Sequence, residues 1–125
     1  MLTPDDFREL ALGLEGVAER SHMGHPDFRA NGRIFASLHS GDRFGMVKLT
    51  PEEQREFRRT HPEMFVPSSG AWGRQGCTDV RLGSADRATV RSALLLAWQN
   101  TLAAPRPRKP RTPAARKASR PARKR

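Results

Sequence analysis

The chain has 125 residues, enough for one domain with its own hydrophobic core. Its formal net charge of +10 is unevenly placed: residues 1–102 carry 13 Lys and Arg against 13 Asp and Glu, while residues 103–125 hold the other 10 cations and no acid. A single cysteine excludes an internal disulfide, no apolar run reaches membrane-spanning length, and the acidic start MLTPDDFREL is wrong for a signal peptide. The expectation is a cytoplasmic protein, neutral in its body and basic in its tail.

In chain order, Thr3 caps a first helix, with Pro4 at its first position and Asp5 and Asp6 in its first turn. Phe7, Leu10, Ala11 and Leu14 give that helix one apolar face, and Gly13 and Gly16 mark its end. Residues 17–23 read as a strand. Asn31-Gly32 between residues 27–30 and 33–38 is the strongest hairpin signal, with Phe28, Ala30, Ile34, Ala36 and Leu38 expected on one face. A turn at residues 40–42 leads to a further strand at 44–49.

Thr50-Pro51-Glu52-Glu53 is a capping box starting a helix at about 51–60. That helix has Phe57 as its one large apolar residue and is expected to lie loosely on the surface. Residues 64–66 and 78–82 read as two more strands. Ser84 is expected to cap a last helix whose core stripe is Val90, Leu94, Ala97 and Trp98, widened by Leu95 and Leu102. The sum is an α+β two-layer domain over residues 1–102: an antiparallel sheet of about five strands, helices on one face, in the order α-β3-α-β2-α.

Between the last two strands, Gly70, Trp72, Gly73 and Gly76 make a glycine-rich turn around a large ring. Such a ring most often folds back to lid the core, and that is the expectation for Trp72; an exposed platform for a partner is the alternative. Past residue 102 there are prolines at 105, 107, 110, 113 and 121 and no large apolar side chain, so the tail is expected to be disordered.

The tail carries the clearest functional signal. Arg106, Arg108, Lys109, Arg111, Arg116, Lys117, Arg120, Arg123, Lys124 and Arg125 form a polycation that binds DNA or RNA phosphates by releasing counterions, without reading sequence. Its composition resembles the tails of linker histones and some bacterial nucleoid proteins, which implies nucleoid association. In the body, Arg29, Arg33, Lys48, Arg74 and Arg81 would form a basic patch if folding brings them to one face; solvated strand faces also carry such charges for no partner. The four histidines and Cys77 are too scattered to spell a metal site, and the paired carboxylates sit where helix capping explains them. With no phosphate-binding glycine motif and no nucleophile elbow, neither an enzyme nor a cofactor is expected.

Three motifs, Gly24-His25-Pro26-Asp27-Phe28-Arg29, Lys48-Leu49-Thr50-Pro51-Glu52-Glu53-Gln54 and Gly70-Ala71-Trp72-Gly73-Arg74-Gln75-Gly76, together resemble the MmcQ/YjbR family of small bacterial proteins. The resemblance covers about residues 7–100. It implies a compact α/β domain shaped like type III secretion chaperones and frataxin-like (CyaY-like) proteins. It further implies DNA binding through two hairpin wings, here Arg29 and Arg33 beside Asn31-Gly32, and Arg43 beside the next turn. Related sequences often carry an aromatic residue where this chain has Cys77, so a stacking role at that position is not implied. The tail lies outside the resemblance. The expectation is thus a non-enzymatic DNA-binding protein, the alternative a protein-interaction module with a solubilising tail.

Overall fold

Capping boxes fix where the first two helices begin. In the computed structural model, which describes residues 2–22, 24–39 and 43–103, the Asp6 amide donates to Thr3 Oγ1 (3.1 Å) and the Thr3 amide to Asp6 Oδ2 (3.0 Å), opening α1 (Pro4–Leu12). Thr50 and Glu53 make the same reciprocal pair at 3.0 and 3.1 Å and open α2 (Pro51–Thr60). Each box satisfies amides that the helix cannot bond internally. The expected turn at 40–42 and the whole basic tail lie outside the described residues.

Strands β1 (Ala18–His22), β2 (His25–Ala30), β3 (Arg33–Leu38), β4 (Phe44–Lys48), β5 (Phe65–Pro67) and β6 (Cys77–Arg81) form a sheet ordered β1-β2-β3-β4-β6-β5, every neighbouring pair antiparallel. The count is six rather than about five. The remaining elements are a short helix α3 (Gly70–Arg74), a 3-10 turn at Leu82–Ser84 and the long helix α4 (Arg87–Ala103).

Register separates the two faces. Phe28, Ala36, Val47 and Thr78 stand opposite one another across four strands, all buried. Leu38, Gly45, Val80 and Phe65 make a second such row. Helices α1, α2 and α4 cover this face. The Phe7 ring packs at 6.2 Å from Phe28 and fills the space where Gly45 lacks a Cβ; Phe57 of α2 meets Phe65 at 5.0 Å; α4 adds buried Val90, Ala93, Leu94 and Ala97. The protein is therefore a two-layer α+β fold with its helices on one side, as its sequence pattern implies.

Four details depart from the pattern. Arg29 pairs with Ile34 while Phe28 pairs with Ala36, leaving Phe35 as the extra residue of a β-bulge. The bulge breaks the two-residue alternation: Phe35 enters the core and Ile34 turns away from it. The cap of α4 is Asp86, not Ser84, because Asp86 Oδ2 accepts from the Thr89 amide (3.1 Å) and Ser84 is inside the 3-10 turn. Leu102 is 56% exposed, since the helix has passed its buried residues Ala97 and Thr101 by then. Finally, α2 is not loose: its Gln54 is buried and hydrogen-bonded. Among the described residues no helix is long and apolar enough to cross a membrane.

Candidate nucleic-acid interface on the open sheet face

The face opposite the helices carries its own row: Asp27, Ser37, Met46 and Asp79 stand across from one another on β2, β3, β4 and β6. Ile34, turned outward by the bulge, joins Met46 in giving this face an apolar floor. His39 Nε2 lies 3.5 Å from Asp79 Oδ1, which also accepts from Ser68 Oγ at 2.7 Å. Together with Lys48, Cys77 and Trp72 these residues line a trough of about 420 Å³.

One wall of the trough is α3. Gly73 on this helix is buried against the Ser68 carbonyl, leaving no room for a Cβ, and its own carbonyl accepts from the Gln54 amide at 3.0 Å. A five-residue helix has only one face to bury, and Gly73 takes it. Trp72, one residue earlier, consequently points outward and is 62% exposed. The expectation of a lid on the core is overturned by that exposure. Lys48 Nζ lies 5.9 Å from the Trp72 ring centroid, at the limit for a cation–π contact.

Around this ridge lies a second groove of about 820 Å³, lined by Arg29, Arg33, Lys48, Trp72, Gln75, Asn100 and Thr101 among others. Three of the expected cations therefore meet at one end of the sheet. Arg29 is held by a buried carboxylate: its Nε and Nη2 reach Asp27 Oδ1 and Oδ2 at 2.8 and 3.2 Å, and these hydrogen bonds raise its pKa further. Arg43 and Arg81 stand at the opposite end of the sheet, where Phe44 pairs with Arg81 and the Leu82 amide donates to the Arg43 carbonyl. Arg74 is exposed on α3 and lines neither groove. The five-cation patch is thus divided, and Arg33 and Arg43 lie at opposite ends of the sheet. Arg106, Arg108, Lys109, Arg111, Arg116, Lys117, Arg120, Arg123, Lys124 and Arg125 lie outside the described residues.

The Asn31-Gly32 tip is fixed in place. Both residues have positive φ, 56° and 76°, as a type I′ turn requires. Asn31 Nδ2 donates to Thr101 Oγ1 (3.0 Å), which itself donates to the Trp98 carbonyl (2.6 Å). This chain of bonds docks the hairpin on the last turns of α4. Cys77, opposite Lys48 on the neighbouring strand, is buried, and burial pushes its thiol pKa up despite the nearby ammonium. That favours the unreactive thiol. Among the described residues no three His, Cys, Asp or Glu side chains are grouped as metal ligands would be.

Residues 12–100 match the family model described as YjbR. The chain belongs to the YjbR family. A search of curated proteins gives no match. The solved structure of Deinococcus radiodurans protein DR2400, whose domain is described as DUF419, superposes with a TM-score of 0.66 at 20% sequence identity over 78% of this chain and 77% of that one. That likeness concerns the fold. Within this YjbR fold, sequence reasoning found Arg29, Arg33, Lys48 and Trp72 but missed Ile34, Met46, His39, Ser68 and Asp79, which line the trough beside it. Alternation along β4 places Met46 beside Lys48 and away from buried Val47, and it was the available signal.

Proposed function

We propose that this YjbR-family protein is a non-enzymatic, sequence-tolerant nucleic-acid-binding protein, its basic tail holding phosphates and its Arg33–Lys48 groove orienting the strand. One observation carries the reading: Asn100 and Thr101, near the end of α4, wall the same groove as Arg29, Arg33 and Lys48. α4, which the ten-cation tail follows directly in sequence, therefore runs out at the rim of the body's own basic groove. The body, formally neutral, adds position rather than bulk affinity. Of the two wings, the 31–32 hairpin borders this groove and acts as a fixed rim.

Fluorescence anisotropy with labelled duplex DNA tests this, comparing the full chain with residues 1–104 across a salt series. If 6–8 phosphates are neutralised, the full chain has a log–log salt slope of about −5 to −7, and truncation removes most of the affinity. Unchanged affinity on truncation sinks the proposal. An exposed Trp72 over an apolar trough also suits a protein partner; that second reading requires a defined protein, retained after nuclease treatment, that Trp72→Ala releases.

A further inference from the structure

We infer that the ligand of this surface is single-stranded nucleic acid, with an unpaired base stacked on Trp72 and held in the open-face trough. The inference rests on the nucleic-acid reading above and names the form of the polymer. Trp72 is 62% exposed, and together with Lys48 it stands on the ridge between the two grooves, lining both. On one side is a trough of about 420 Å³, the size of a small-molecule site, floored by Ile34 and Met46. Ser68, His39 and Asp79 stand at its polar edge, where hydroxyl, imidazole and carboxylate can bond the edge of a flat heterocycle. On the other side are Arg29 and Arg33.

Charge sorts the parts of a nucleotide between these two sides. The trough is lined by Asp79 and by Asp27, the latter paired with Arg29, with Lys48 at its rim. Among the described residues, Arg29, Arg33 and Lys48 line the second groove without a carboxylate, so a phosphate favours that groove while a neutral base can enter the trough. The phosphate is drawn to the cationic groove across the ridge. Base and phosphate can take separate grooves only when the base is out of a duplex. A paired base keeps both faces stacked on its neighbours and offers the protein only its edges. Stacking on an exposed ring next to a cationic track is the physical design of single-strand binders, and it tolerates any sequence because every base has a π-face.

The test uses the full chain, a labelled short single strand of mixed sequence and the matching duplex, at a salt concentration that weakens tail-only binding. Trp72→Ala should weaken single-strand binding about 5- to 100-fold and duplex binding far less, with Trp72→Phe restoring most of the loss. The single strand should also quench tryptophan fluorescence in the wild type but not in Trp72→Ala, which retains half-buried Trp98. Equal effects of Trp72→Ala on both polymers, or none on either, overturn the inference while leaving the phosphate reading standing. Failure of the wild type to bind either polymer overturns both. A matched urea midpoint for Trp72→Ala separates loss of binding from loss of fold.

Discussion

Gln54 joins three parts of the molecule through one side chain. Its Nε2 lies 3.0 Å from the Gly73 carbonyl, 3.0 Å from the Cys77 carbonyl and 3.2 Å from Thr78 Oγ1. Two N–H groups serve three acceptors, so one bond is shared. Gln54→Leu leaves buried carbonyls dry and should destabilise by about 2–3 kcal/mol, read as a lower urea midpoint at unchanged slope. A midpoint equal to wild type would show that the network adds nothing. Asp86 sets an acid limit. Its carboxyl is held low by the Thr89 hydroxyl and then the Thr89 amide, so it binds protons less readily folded than unfolded. The stability it adds is present above the ordinary carboxylate pKa and is lost as pH falls through the lower folded value, below about pH 4. Asp86→Asn keeps a capping side chain but cannot titrate, so its urea midpoint should fall less steeply in that window. An identical acid profile would discount this carboxylate.

At the scale of elements, α3 shows how a glycine decides where a tryptophan points. Trp72→Ala should change stability by no more than about 0.5 kcal/mol, the usual effect of an exposed site, whereas Leu94→Ala in buried α4 should cost about 2–5 kcal/mol; thermal unfolding of both variants checks the contrast. A large loss for Trp72→Ala would return the ring to the core. Gly76 is tighter still. It combines φ of 112° with a backbone approach to Leu49 that leaves no space for a Cβ, so Gly76→Ala should separate α2 from β6 and fail to give a native melting transition. The α2 sequence has one large apolar residue and gave no sign of this anchoring, because a buried glutamine is recognisable only once its acceptors are in place.

The whole molecule gathers its chemistry at one end. The register shift at the bulge, docking of Asn31 on Thr101 and the course of α4 bring β3, β4, α3 and the end of α4 around Lys48 and Trp72. If this end meets phosphate, Arg33→Ala and Lys48→Ala should each weaken binding evenly across sequences and reduce the salt slope by about one, while Arg43→Ala at the far end should not. Equal effects from all three in anisotropy titrations would dissolve the distinction between the ends. Arg29 is a poor probe here, since removing it strands the carboxylate of Asp27, only 2% exposed.

The sequence by itself determined the starts of α1 and α2, the Asn-Gly hairpin, the two-layer class and the separation of a neutral body from a basic tail. These rest on local physics: caps act within one turn, hairpin turns within two residues, and alternation along single strands. The motifs at 24–29, 48–54 and 70–76 also sufficed for the family. Only the tertiary structure decided the outward turn of Trp72, the exit of Ile34 from the core, the burial of Gln54 and the division of the arginines between two ends of the sheet. Each depends on contacts between residues far apart in the chain, such as Gln54 with Gly73 or Asn31 with Thr101. No local period encodes such a contact, because the partner is supplied by the packing of another element.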